Sequence, residues 1–173
     1  PSNLRRNDGL QINADLQPGS GAWDGIAWAQ LVHVLNFRPS MSFSATAVYA
    51  QKGKNKRYLV TEEYRFGNEL QFIAGLADRL LVAGQVFDPS LILRFRFAGP
   101  DQFNGSELPS TGGSWLFLGP GFQYWLRPGI ALSARFEAPV YANIKGTQAS
   151  PTYRLSVGVF SKIRMKKENK TPL

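Results

Sequence analysis

The stretch Ile130-Ala131-Leu132-Ser133-Ala134-Arg135-Phe136-Glu137-Ala138-Pro139-Val140 puts Ile130, Leu132, Ala134, Phe136, Ala138 and Val140 on one side and Ala131, Ser133, Arg135 and Glu137 on the other. A two-residue repeat is the period of a β-strand. Wound as a helix, the same apolar residues would spread around the whole circumference, and Arg135 and Glu137 would point about 200° apart. The stretch therefore predicts a strand with one apolar and one polar face.

The same period recurs along the chain and predicts about eight strands. The first lies near residues 9–18, with Leu10, Ile12, Ala14 and Leu16 opposing Gln11, Asn13, Asp15 and Gln17. The second, near 23–35, sets Ala27, Ala29 and Leu31 against Asp24 and Gln30. The third covers 40–50, and the fourth contains Leu70, Phe72, Ala74 and Leu76 against Glu69 and Gln71. In the fifth, Leu91, Leu93, Phe95 and Phe97 oppose Ser90, Arg94 and Arg96. A sixth runs over 113–125, the opening stretch is the seventh, and in the eighth Tyr153, Leu155, Val157 and Val159 oppose Arg154, Ser156 and Gly158. Residues 79–87 read either as a long turn or as another strand. Pro120, inside the sixth strand, removes a ladder donor and predicts a bulge there.

Connection lengths carry a second signal. Residues 36–39 and 127–128 are tight proline turns, whereas 51–65, 99–112 and 142–151 are longer and polar. Short turns at one end and long loops at the other, with an even strand number, characterise outer-membrane barrels. In such a barrel the long loops face out of the cell and both termini lie in the periplasm.

Composition is compatible with this reading. The 173 residues suit one domain, 43% are hydrophobic and 18% charged, and no apolar run approaches the roughly 20 residues of a membrane-spanning helix. Barrel strands need only about ten alternating residues. Lysine is nearly absent from the strands, and the polar faces are rich in Ser, Thr, Gly and Gln. Trp23, Tyr49, Phe66, Phe97, Trp115, Tyr124, Trp125, Tyr141 and Tyr153 lie at or near strand ends, where interfacial aromatic girdles sit. The expected arrangement is an all-β, antiparallel, up-and-down transmembrane barrel over residues 1–163, with a basic tail at 164–173. Alternation alone leaves open a soluble β-barrel or sandwich that turns its apolar faces inward around an apolar ligand.

Certain segments resemble a known family: Gly112-Gly113-Ser114-Trp115, the turn Leu126-Arg127-Pro128-Gly129, Glu137-Ala138-Pro139-Val140-Tyr141 and Gly146-Thr147-Gln148. The chain resembles bacterial outer-membrane β-barrels, and these pieces are similar to transporter-like barrels akin to the phenol meta-pathway outer-membrane family. With the barrel reading, the resemblance leads us to expect outer-membrane localisation and a passive, porin-like transporter or a structural barrel. Members usually have about twelve strands or more, which makes this chain an arc of a larger barrel as an alternative to a small closed one. The last strand departs from the pattern, because Phe160 is followed by a basic tail. The start at Pro1, without a methionine or a charged-then-apolar leader, leads us to expect a processed or an incomplete chain.

A barrel assigns residues to its two faces. Asp15, Asp24, Glu69, Arg94, Arg96, Arg135, Glu137 and Arg154 would line the lumen, four acids against four bases. They would form either an internal salt-bridge network that plugs a narrow barrel or a selectivity ring in a pore. Leu91, Leu93, Phe95, Ile130, Leu132, Phe136, Leu155 and Val157 would face lipid.

The formal charge is +8, part of it clustered at Lys52, Lys54, Lys56 and Arg57, which reads as a solvated loop or as contact with anionic lipid or lipopolysaccharide phosphates. Nucleic acid is not an expected partner, since no binding motif appears; protein partners or a homo-oligomer are left open. With no cysteine and one histidine, His33, thiolate chemistry and paired-histidine metal sites are out of reach, and no cofactor is expected. His33 raises the idea of an outer-membrane lipid-modifying enzyme. Without a Gly-x-Ser-x-Gly elbow, the expectation is a non-enzymatic barrel with His33 at the short-turn interface.

Overall fold

Twelve antiparallel strands carry the structure, a computed structural model that describes residues 14, 17, 19–150 and 152–162. They are β1 (Gly25–Val34), β2 (Ser42–Gln51), β3 (Asn55–Tyr58), β4 (Glu62–Arg65), β5 (Glu69–Ala77), β6 (Leu80–Val82), β7 (Gln85–Ala98), β8 (Gln102–Phe103), β9 (Ser106–Glu107), β10 (Gly113–Arg127), β11 (Ile130–Ile144) and β12 (Arg154–Ser161). The main sheet runs β1-β2-β5-β7-β10-β11-β12, with β6 added beside β7. Each strand on this path pairs with the next long strand in sequence, as an up-and-down meander does. The sheet is open: among the described residues β1 pairs only with β2, and β12 only with β11.

Seven of the expected strands are present as main-sheet strands. The one expected near 9–18, like the basic tail, lies outside the described residues except for Ala14 and Gln17, neither of which is in a strand. Gly25 pairs with Gln51, so β1 starts at the long-connection end, whereas Ser161, paired with Ile130, ends β12 at the short-turn end. The ambiguous stretch 79–87 resolves into a hairpin whose turn residues, Ala83 and Gly84, both have positive φ (50° and 77°). That is the two-residue turn geometry that matches strand twist.

Two polar loops turn out to contain strands. Hairpins β3–β4 and β8–β9 join through β4 and β8 into a second sheet of four short strands. Asn104 and Gly105, at φ 49° and 79°, make the β8–β9 turn. Tyr58, Tyr64, Phe66 and Phe103 pack together here, with ring centroids 5.0–6.3 Å apart. Phe66 thus belongs to this cluster and not to a girdle. The two long connections approach closely at glycines: a Cβ on Gly67 would lie 1.9 Å from the Gly99 carbonyl oxygen, and one on Gly112 2.6 Å from the same atom.

Register settles the two faces, because directly paired residues project to the same side. On the apolar face lie Phe43, Ala45, Ala47 and Tyr49 of β2, Leu70, Phe72, Ala74 and Leu76 of β5, Leu91, Leu93, Phe95 and Phe97 of β7 and Leu116, Leu118 and Phe122 of β10. Leu132, Phe136, Leu155 and Val157 continue it onto β11 and β12. The bulge expected at Pro120 is not there. Pro120 pairs with Leu91 in unbroken register, and the ladder to β11 has the same offset on either side of it. The irregularities fall elsewhere: Leu116 pairs with Tyr141 but Phe117 with Pro139, which leaves Val140 as an extra residue, and Leu126 is the extra residue near the β10–β11 turn. The apolar row of the opening stretch therefore ends in register at Ala138, and Tyr141 resumes it beyond the bulge.

Gly67→Ala should lower stability by about 1–3 kcal/mol, because the added methyl meets backbone that no rotamer change can move. Thermal unfolding followed by circular dichroism checks this, with Gly25→Ala, which has open space around it, as the neutral comparison.

Candidate functional site

The polar face is where side chains are buried. Trp115 and Phe117 of β10 are 4% and 3% exposed and Glu137 of β11 is 6% exposed, all on this face. Three hollows of about 470, 520 and 440 Å³ lie along it from the long-connection end to the short-turn end. The first two share Glu69 and Arg96, and the second and third share Arg154, so together they form one groove.

A chain of ion pairs crosses this groove. Arg96 on β7 forks onto Glu69 of β5, Nε to Oε1 and Nη2 to Oε2, both at 3.0 Å. Gln71 donates to the same carboxylate. Arg94 on β7 reaches across β10 to Glu137 on β11, with Nη2 to Oε1 at 2.5 Å and Nε to Oε2 at 3.3 Å. Arg154 of β12 donates to the same Oε1 at 3.1 Å. Gly119 makes that span possible, since the polar face of β10 carries no side chain opposite Ile92 and beside Glu137. The guanidinium groups also stack, Arg94 over Phe117 at 4.1 Å and Arg96 over Trp115 at 5.2 Å.

Of the eight residues expected in the lumen, Glu69, Arg94, Arg96, Arg135, Glu137 and Arg154 lie on this one face. Asp15 lies outside the described residues. Asp24 precedes β1 and belongs to the long-connection end, where it accepts from Lys52 Nζ (3.1 Å), the Gly53 amide (3.0 Å) and Ser20 Oγ (3.1 Å). Partial burial raises the Asp24 pKa, but the Gly53 amide, Lys52 and Ser20 outweigh it and hold the carboxyl below its ordinary value.

The basic cluster is partly committed to the protein itself: Lys52 pairs with Asp24, and Lys54 with Glu63 at 2.8 Å. Lys56 is exposed, and Arg57 takes part in the loop's own interactions, its amide donating to Asn55 Oδ1. His33 is opposite Phe43 on the apolar face, as its position predicts. Among the described residues no three His, Asp or Glu side chains gather to hold a metal ion.

Trp115 and Trp125, expected at the interface, lie on the charged face and hydrogen-bond within the protein. Trp115 Nε1 donates to Ser150 Oγ at 3.3 Å, and Trp125 Nε1 to Asp88 Oδ2 at 2.8 Å. Gln71, on the polar side of its strand by sequence, joins this face, and so do Phe117 and Asp88, which strand parity alone places there. Tyr49, Phe97 and Tyr141 do lie on the apolar face near its long-connection end, all partly exposed. Of the residues expected to face lipid, Leu91, Leu93, Phe95, Leu132, Phe136, Leu155 and Val157 share the apolar face, with Ile130 at its short-turn margin. Comparison with known proteins gives no match to a family model, a curated protein or a solved structure.

Two outcomes follow from these contacts. Glu137→Ala strands Arg94 in a largely buried setting and should cost about 3 kcal/mol, whereas Arg94→Leu with Glu137→Leu should cost less than Glu137→Ala alone; denaturant unfolding measures both. Because the Asp24 carboxyl is held low, its clamp contributes fully above the ordinary aspartate pKa and is lost as pH falls through the depressed value. Amide exchange at Gly53, corrected for its intrinsic pH dependence, should lose protection over that acid range, and Asp24→Ala should remove it at neutral pH.

Proposed function

We propose that this sheet is part of the wall of a bacterial outer-membrane β-barrel that passes polar solutes through a charged interior. The observation that carries the reading is the inverted distribution of side chains. Leu155 and Val157 are 65% and 76% exposed, and Phe72, Leu93 and Phe136 are also open, while the hydrogen-bonded charges occupy the buried face. Lipid makes such an apolar face favourable, and a groove of paired charges suits a hydrated lumen. A ligand-binding soluble barrel requires the opposite placement.

Three further features support it. Connections at one end are short turns, and those at the other carry the β3–β4 and β8–β9 hairpins. Tyr49, Phe97 and Tyr141 give the apolar face a partial aromatic border. The edge strand β1 contains no charged residue and no proline across Gly25–Val34, and its Ile26, Trp28, Val32 and Val34 make the β1 margin of the polar face apolar. Soluble proteins guard open edges with charged residues or proline, so the unguarded edge of β1 supports a place for it inside a larger sheet. Completion by further strands is part of this proposal, because unpaired backbone groups are not tolerated in hydrocarbon.

Spin labels test it after reconstitution in lipid vesicles. Labels at Leu93, Phe136 and Val157 should collide with oxygen dissolved in lipid, and labels at Gln71 and Ser133 with a water-soluble nickel chelate. A chain that stays monodisperse in plain buffer and fails to enter vesicles overturns the membrane reading.

A further inference from the structure

The groove has more positive charge than its acids use. Between β5 and β12 the polar face sets Arg94, Arg96, Arg135 and Arg154 against Glu69 and Glu137. Asp88 is already held by the fork of Arg79, with two contacts of 2.9 Å, and by Trp125. Glu69 is taken by Arg96, and Glu137 mainly by Arg94, which uses both carboxylate oxygens. Arg154 reaches Glu137 through one nitrogen and its side chain remains 63% exposed. Arg135 has no carboxylate partner among the described residues, and it is exposed.

Both of these arginines border the hollow of about 440 Å³ at the short-turn end. Its other polar walls are Ser90, Gln123, Ser133, Ser156 and Asp88, whose carboxylate is the one held by Arg79 and Trp125. Register explains why a space exists: Ser90, Gly121, Arg135 and Ser156 form one cross-strand row, and Gly121 contributes no side chain to it. A Cβ there would come within 3.1 Å of Ser90 Oγ and 3.4 Å of Arg135 Cβ, and one on Gly158 within 3.0 Å of Ser133 Oγ. The Gly119-Pro120-Gly121 sequence thus keeps the floor of the groove bare next to two under-used guanidinium groups. A planar guanidinium pairs in bidentate fashion with a carboxylate, and hydroxyls can donate to the same oxygens.

We propose that this cradle binds the carboxylate of a small organic acid, with Arg135 as its principal partner, Arg154 as a second cation and the serine hydroxyls as supporting donors. The proposal deepens the passage reading and rests on it for its biological meaning, since it makes the interior selective for anions. Binding itself is a property of the cradle.

Titration calorimetry of the folded chain in detergent micelles, with butyrate and the neutral 1-butanol as probes, tests it at fixed low ionic strength. Butyrate should bind saturably and weaken as salt is raised, and 1-butanol should not bind at the site. Arg135→Gln should reduce butyrate affinity about tenfold or more, Arg135→Lys by less, and Gly121→Val should reduce it with every charge retained. Circular dichroism and melting of each variant establish that it is folded. Equal binding of butyrate and butanol, or unchanged butyrate affinity in folded Arg135→Gln, overturns the proposal. A chain that proves soluble without detergent is titrated in buffer, so failure of the membrane reading and failure of the anion site give separate results.

Discussion

A single carboxylate, Glu137 on β11, accepts hydrogen bonds from Arg94 two strands away and from Arg154 on the neighbouring strand. Much of the polar face is arranged around that junction. Arg94 can extend across β10 because Gly119 leaves the way open, and Phe117 supports the guanidinium from the side. Removing two charges from water is costly, and the geometry compensates by giving both Glu137 oxygens a donor. The same commitment of Glu137 to Arg94 leaves positive charge over at the short-turn end. Structural pairing and surplus charge therefore arise from one arrangement.

Both ends of the sheet are tied by side chains that cross between connections. At the short-turn end Asp78 meets Arg38 at 2.6 Å and Ser40 at 2.7 Å, linking the turn after β1 to the break after β5. At the opposite end Asp101 accepts from the Tyr64 hydroxyl and the Gly67 amide, while Lys52 and Asp24 join the segment before β1 to the one after β2. These contacts fix loops that in sequence look merely polar.

The long strands were legible because each repeats its two-residue period over eight residues or more, so one misplaced residue does not hide the pattern. Parity within each strand sets Glu69, Arg94, Arg96, Arg135, Glu137 and Arg154 opposite that strand's apolar row, and register brings the six onto a common face. What parity could not supply was partnership: that Arg94 skips a strand to find Glu137 depends on a glycine in the strand between. Strands of two to four residues, such as β8 and β4, are too short to show a period, although the Asn104-Gly105 turn was a readable hairpin signal. Trp115 and Trp125 lie near strand ends, as girdle aromatics do, yet strand parity sets them beside Phe117 and Gln123 on the charged face. Pro120 was expected to bend the ladder, yet the extra residues fall at Val140 and Leu126.

Strand direction gives the open sheet a further consequence. The main path holds seven strands, each antiparallel to the next, so β1 and β12 run the same way. Joining those two edges directly would create a parallel seam in an otherwise antiparallel wall. Any ring that keeps every neighbour antiparallel must insert an odd number of strands between them. A second copy of the arc supplies seven, an odd number, and meets the rule only if its strands run opposite to those of the first; two copies in the same orientation would have two parallel seams.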